Sequence, residues 1–340
     1  VHTGQTRLTT GPERPAPPYA VGPSAGRRRR PLATRVAVLL LLVVSPPLLA
    51  RALDVDGPPP LPQLLAFLPW LMVPGWLALA AAALARRLLL VGWALAALAC
   101  TGWFLQPYGP PLTIPGDEPQ AQVRVLSVNL EFGNATEGLL ETLRRERPHL
   151  VSVQECDRRC ASALSGAEVQ RAYPHRVLAG SDPAEGSALL SVYPLRDERE
   201  IPATLAMPSA VADLGGVDLR VQVVHPMPPM PDSLPVWRAE LAELREVARS
   251  RGGMRTVFAG DFNAGQDHAA FRDVLDTGLR DTARLLGHSR TPTWPARTAP
   301  SLGAQIDHIL VSGSLVPVGL RFVDLADTDH RGLLADIRVY

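Results

Sequence analysis

Hydrophobic positions follow two different patterns along the 340 residues of this chain. Between residues 36 and 105 they form long runs with almost no charge inside, Val36–Leu53, Leu61–Ala85 and Leu88–Leu105. Crossing a bilayer takes about 20 apolar residues as a helix, and each run is near that length. A cleavable signal segment would account for the first run but not for the next two. The pattern therefore predicts three transmembrane helices over residues 36–105, with Pro46 and Pro47 interrupting the first and Pro69 and Pro74 within the second.

From residue 123 onward the apolar runs are short, rich in Val, Ile and Leu, and separated by polar turns. Strands are predicted at Val123–Asn129, Leu150–Gln154, Ser187–Val192, Asp218–His225, Thr256–Ala259, Ile306–Val311 and Leu333–Val339. Helices are predicted at Thr136–Arg147 and Pro235–Arg249, where Leu241, Leu244 and Val247 recur at helical spacing. Many strands with helices between them predict an α/β sandwich of layered sheets. Residues 106–122 (QPYGPPLTIPGDEPQAQ) have no periodicity and read as a Pro-rich linker. Residues 1–35, polar and rich in Pro, Gly and Arg, bury too little apolar surface to fold alone and read as a disordered basic arm.

Charge gives these segments an orientation. Arg27–Arg30 and Arg35 precede the first apolar run and Arg86–Arg87 separate the second from the third, whereas the first loop sets Arg51 against Asp54 and Asp56. The positive-inside rule then puts the N-terminus and the Arg86–Arg87 turn in the cytoplasm. With three crossings, the domain at 123–340 lies outside. That domain carries no basic footprint: from Ala121 to Tyr340 there are 24 arginines against 28 carboxylates, a charge of −4, which disfavours nucleic acid as the partner. Three cysteines exclude a disulfide scaffold. Cys156 and Cys160 would pair poorly across one helical turn, so they read as small buried side chains or as an oxidised pair with no part in catalysis.

Polar residues gather at strand ends, where open sheets place their sites. Asn129 closes VLSVN, Glu155 follows VSVQ, and His225 closes VQVVH. Asp261 and Asn263 stand in GDFNA, Asp307 and His308 in IDHIL, and Asp329 and His330 in TDHRG. Taken singly, such carboxylates face solvent or cap helices, and a lone His is a structural residue. The ordered set is what points to chemistry. Hard oxygen donors such as Glu155 and Asp329 suit a divalent metal, and histidines beside them can move protons.

In that order, VNL, QE, HP, GDFNA, IDHIL and TDHRG resemble the endonuclease/exonuclease/phosphatase superfamily over residues 123–340. The resemblance implies a four-layer α/β sandwich, two packed mixed sheets flanked by helices, and dependence on Mg²⁺ or Mn²⁺. It implies Glu155 as the principal metal ligand, with Asn129 and Asp329 close to the ion. Asp261 would orient and deprotonate the water, and Asn263 would hold a phosphate oxygen. His330 would act at the phosphate in a tautomer kept by Asp307, and His225 would bind the same phosphate or assist the leaving group. His308 alternates away from Asp307 on its strand and is expected to be structural. Val192–Tyr193 depart from the Ser-Arg type of pair that many members carry in that segment, leaving the substrate contacts there open.

The three-span anchor, with the Pro-, Met- and Trp-bearing segment HPMPPMPDSLPVW after Val224, is similar to the actinobacterial membrane-anchored branch associated with teicoplanin resistance. That resemblance implies a phosphorylated lipid as substrate, a polyprenyl phosphate or pyrophosphate, hydrolysed at the outer membrane face. An anchored extracellular endonuclease is the alternative.

Overall fold

The computed structural model describes residues 25–340 apart from Ser181 and Ala299. Residues 1–24 of the expected basic arm lie outside the described residues, and residues 25–35 are helical rather than disordered. They open α1 (Ala25–Ala52), which runs on through Pro46 and Pro47. The second apolar run is divided into α2 (Leu61–Ala66), a 3₁₀ turn at Leu68–Leu71, and α3 (Met72–Ala85). Pro74 is accommodated in the first turn of α3, where backbone N–H groups lack an intrahelical acceptor. After the Arg86–Arg87 turn comes α4 (Leu88–Phe104). Leu41, Val44, Leu48, Leu68, Ala78 and Ala94 form the bundle core. Gly75 lets α4 approach α3, since a Cβ there would stand 2.8 Å from Leu98.

Two of these helical segments are long and apolar enough to cross a membrane, Pro31–Ala52 with mean hydropathy 2.1 and Leu68–Ala85 with 1.7; Leu88–Phe104 is shorter. Their outward faces expose Leu39, Leu42, Trp76, Leu77, Leu89 and Trp103.

Twelve strands follow. They are β1 (Ala121–Asn129), β2 (Leu150–Gln154), β3 (His175–Ala179), β4 (Ser187–Ser191), β5 (Leu195–Glu200) and β6 (Pro208–Asp213). Then come β7 (Asp218–Val224), β8 (Thr256–Asp261), β9 (Arg280–Asp281), β10 (Asp307–Val311), β11 (Leu315–Asp324) and β12 (Arg331–Val339). Between them stand α5 (Thr136–Glu146), α6 (Arg158–Leu164), α7 (Ala167–Ala172), α8 (Leu234–Arg249), α9 (Ala269–Leu275) and α10 (Thr282–Leu285). One six-stranded sheet has the order β11-β12-β1-β2-β4-β3 and the other β5-β6-β7-β8-β10-β9. Their inner faces meet through Val125, Leu150, Leu189, Val221, Val257, Ile309 and Leu333. Outside the first sheet, Leu139, Leu143 and Leu164 of α5 and α6 cover Leu126 and Val153. Outside the second, Trp237, Leu241 and Leu244 of α8 and Phe271 of α9 cover Phe258 and Leu310. The order of layers is helix, sheet, sheet, helix, as the resemblance implied.

All seven expected strands form. The strands without a sequence signal are mostly peripheral: β5 is a charged edge (LRDERE), β9 has two residues, and β11 is broken by an irregularity between Pro317 and Gly319. Cys156 and Cys160 are disulfide-bonded with Cα atoms 5.2 Å apart. The expected poor geometry does not apply, because α6 begins at Arg158 behind the Asp157 N-cap and Cys156 lies outside it.

Topology collects the polar strand ends. β1 pairs β2 in parallel with Asn129 beside Gln154, and β7 pairs β8 in parallel with Val224 beside Gly260. β10 runs antiparallel to β8, which sets Asp307 opposite Asp261. The exits of β1, β2, β7 and β8 thus share one edge of the sandwich with the entries of β10 and β12. That edge rests on the helical bundle: Gly265, Asp267, Gly303 and Gln305 line a crevice together with Leu65, Ala66 and Pro69.

Candidate active site

Seven side chains on this edge form one cluster. Asn129 Nδ2 donates to Glu155 Oε1 at 3.0 Å and to Asp261 Oδ2 at 3.1 Å. The Glu131 N–H donates to Asn129 Oδ1 at 3.0 Å, which fixes the orientation of the amide. Glu155 is further held by the Phe132 N–H at 2.7 Å. His330 Nδ1 lies 2.9 Å from Asp307 Oδ2, and its Nε2 is 3.8 Å from both Asp261 Oδ2 and Asp329 Oδ1. His225 Nε2 faces Glu155 Oε1 at 3.7 Å.

The backbone beneath the cluster is locally strained. Glu131, Phe132, Glu155 and Asn263 have φ of 48°, 59°, 55° and 48°, a region that non-glycine residues avoid and that concentrates at functional sites. Glu155 turns out of β2 because the next residue, Cys156, bonds Gly186 through its N–H. Only glycine fits there, since a Cβ on Gly186 would lie 2.0 Å from Cys156 O. Asn263 turns out of β8 with its N–H on Asp261 Oδ1 and its side-chain Nδ2 on Pro226 O. Its own carbonyl accepts from Trp237 Nε1.

Burial and charge divide the protons. Burial works against a charge on His330, but the carboxylates of Asp307, Asp261 and Asp329 outweigh it and push the imidazole up to about 10. His225, buried and facing that cation, is held down to about 3 and is neutral. Burial, reinforced by Asp307, pushes the Asp261 carboxyl up, with His330 opposing. Burial also raises Glu155, against its hydrogen bonds from Asn129 and Phe132.

The expected residues are therefore brought together: Asn129, Glu155, His225, Asp261, Asp307, Asp329 and His330 in one cluster, with Asn263 on its rim. His308 is set apart as expected, with Nδ1 3.0 Å from Asp281 Oδ2 and Nε2 3.0 Å from Ala264 O. Val192 and Tyr193 do not reach the site. β4 runs antiparallel to β2 with Ser187 beside Gln154 and Ser191 beside Leu150, so that segment leaves from the far edge. Sequence reasoning missed Trp294, whose Nε1–H donates to Asp329 Oδ2 at 2.8 Å. It also missed Thr328, whose Oγ1 donates to Asn129 O and accepts from the His330 N–H. Thr328 belongs to the TDH motif and was legible there; Trp294 comes from a loop with no periodic or charge signal.

A divalent cation fits this donor set. Asp261, Asp307 and His330 present ligand atoms within 4.8 Å of one another, but His330 Nδ1 is already engaged by Asp307 Oδ2 at 2.9 Å. The carboxylates of Glu155 and Asp329 offer the hard oxygens that such an ion takes. Asp307 Oδ1 and His225 Nδ1 are buried without a hydrogen-bond partner, so the cluster has polar capacity to spare for a bound group.

Residues 126–330 match the Endonuclease/Exonuclease/phosphatase family. Among solved structures, the fold is similar to a humanized D. rerio TDP2, with 15% identity over 64% of this chain and 99% of that one at a TM-score of 0.53. It is similar to an endonuclease/exonuclease/phosphatase from Beutenbergia cavernae, with 19% identity over 64% and 72% of the two chains and a TM-score of 0.51. It is also similar to the 3' phosphatase NExo from Neisseria bound to a product DNA hairpin, with 20% identity over 63% and 98% and a TM-score of 0.50. No curated protein sequence matches the chain. With its four-layer fold, its clustered strand-end residues and a match over most of the catalytic domain, the chain belongs to the endonuclease/exonuclease/phosphatase family and is a metal-dependent phosphoric ester hydrolase.

Proposed function

We propose that α1, α3 and α4 cross a membrane with the Arg86–Arg87 turn on the cytoplasmic side, and that the enzyme hydrolyses a lipid-borne phosphate ester at the outer face. A polyprenyl phosphate or pyrophosphate is the substrate favoured by the resemblance to the anchored branch. One observation carries this reading: loops bearing the site residues rest on the outer end of the apolar bundle. Pro229, in the loop after His225, accepts from Gln63. His268, in the loop after Asn263, meets Pro62 O at 2.8 Å. Gly303–Gln305, just before Asp307, line the crevice with Leu65 and Pro69. Met230 and Leu302, both exposed, add apolar surface on two of those loops. The phosphate site then lies next to the headgroup layer.

In this reading Glu155 and Asp329 would hold the metal, Mg²⁺ or Mn²⁺, which polarises the phosphate and offsets developing negative charge. Asn129 donates to Glu155 and aims it, close to the ion as the resemblance implies. Asp261 accepts the proton of the attacking water, for which its raised affinity suits it. Cationic His330, kept in register by Asp307, neutralises phosphate oxygens. Neutral His225 and the Asn263 amide donate hydrogen bonds to the same group.

A nuclease is the second reading, favoured by the DNA in two similar structures, the NExo hairpin complex and a D. rerio TDP2 with single-strand DNA product. The domain charge of −4 counts against it. Phosphate release from polyprenyl pyrophosphate in vesicles, run beside plasmid degradation with and without EDTA, decides between them. Metal-dependent release with intact plasmid is the expected result, and plasmid nicking without phosphate release would overturn the lipid reading.

A further inference from the structure

The loop that joins α1 to α2 contributes more than tethering. Asp56, buried at 6% exposure, places Oδ1 on the Ala269 N–H at 2.7 Å and Oδ2 on the Ala270 N–H at 3.2 Å. It thereby caps α9, whose own N-cap residue His268 provides no side-chain bond. His268 is engaged at both nitrogens: Nδ1 accepts from the Gly265 N–H at 2.9 Å, so Nε2 carries the proton and donates to Pro62 O. Arg272, 2% exposed, pairs with Asp54 and donates to Gln266 O at 3.0 Å. Asp267, 3% exposed, is gripped by Arg290 and faces Arg51 at 3.5 Å, while Arg290 donates to Phe104 O at 2.6 Å.

Every residue from Gln266 to Ala270, and Arg272, is thus bonded to the anchor or to its immediate partner. That segment begins three residues after Asn263. It continues the turn that carries Asp261 and Asn263, and Trp237 packs edge-on against His268 at 5.4 Å while bonding Asn263 O. Nothing else in α9 supplies the cap, and an uncapped helix start loses order in its first turn.

We infer that Asp56, with Asp54, is a positioning residue of the active site: the anchor's outer loop caps α9 and through it fixes the Asp261–Asn263 turn. The anchor is then a structural part of the enzyme as well as its tether. The inference rests on the hydrolase reading but on neither choice of substrate.

The test uses the full-length chain in vesicles, on whichever of polyprenyl pyrophosphate or plasmid DNA it turns over, with amide hydrogen exchange alongside. Asp56→Ala is expected to lower kcat about 10- to 100-fold, the scale of a small misplacement of reacting groups, with KM unchanged within about twofold. Exchange should quicken through residues 263–270. Asp56→Asn keeps one acceptor and should recover part of kcat. Asp276→Ala, which removes only the 2.7 Å bond from Tyr108 at the far end of α9, should behave as the parent. Unchanged kcat in Asp56→Ala, or an equal fall in Asp276→Ala, would overturn the inference. Should the alanine chain fail to accumulate, Asp56→Asn decides alone: parental kcat and exchange refute it, and a severalfold fall in kcat with faster exchange at 263–270 supports it.

Discussion

His308 is the most instructive single residue beside the site. Both of its nitrogens face acceptors, the Asp281 carboxylate and the Ala264 carbonyl, so both must carry protons. Burial opposes the resulting charge, yet Asp281 and the Ala264 carbonyl raise the pKa above 6.5. A raised folded-state value gives stability that is fully present below the unfolded value and is lost as pH rises through the folded one. The expected outcome is that His308→Gln lowers the unfolding midpoint most near pH 6 and progressively less at higher pH; a gap constant across that range would contradict the charged pair. At the site itself, Glu155→Ala and His330→Ala should each lower kcat by about 10²- to 10⁴-fold, measured in the vesicle assay. Trp294→Phe removes one hydrogen bond to Asp329, worth about 1 kcal/mol, and should raise the Mg²⁺ concentration needed for half-maximal rate severalfold.

Elements explain what could be read from the sequence and what could not. The central strands announce themselves through buried Val, Leu and Ile, and the residues at or beside their ends, Asn129, Glu155, Asp261 and Asp329, were legible as a set because motif order survives without coordinates. Peripheral β5 and β11 are half solvated, so tertiary pairing rather than composition makes them strands. Trp294 and Asp56 act through contacts distant in sequence, Asp56 across 213 residues, and no local pattern reports those. The cysteine reading erred by placing Cys156 on a helix that starts two residues later. Its bond closes a short loop directly behind Glu155, and loop-closure entropy puts the stabilisation at about 2 kcal/mol. Cys160→Ser should lower the unfolding midpoint accordingly, and reduction of the parent should match it. Trp237, fully buried between α8 and β8, should cost about 3–5 kcal/mol as Trp237→Ala, read by chemical denaturation.

For the molecule as a whole, the bundle and the sandwich form one object. Asp54, Asp56, Gly57, Pro62, Gln63 and Phe104 all meet the domain, whereas the Arg86–Arg87 turn lies at the opposite end of α4 from Phe104. Contacts at that end of the bundle, among the described residues, agree with a topology in which the loop after α1 and the segment after α4 emerge on the same side. On the proposed orientation, a reporter fused after Tyr340 should be active outside the cytoplasm, and cytoplasmic activity would defeat that proposal. The Pro-rich linker is held against the domain, because Gln106, Gly109 and Pro110 each offer a carbonyl to Gln266 or Arg284.

In the proposed topology, a catalytic edge clamped to helices that cross the bilayer works at a fixed height, and this changes the dimension in which it meets its substrate. A domain on a loose tether explores a volume; one seated as the Leu65–Pro69 crevice seats this domain samples a plane. Its velocity would then follow the mole fraction of substrate in the bilayer, not the amount per millilitre. Adding inert lipid while holding total substrate constant should slow hydrolysis in proportion to the dilution within the surface, whereas adding buffer to the same vesicles should leave the turnover of each membrane unchanged.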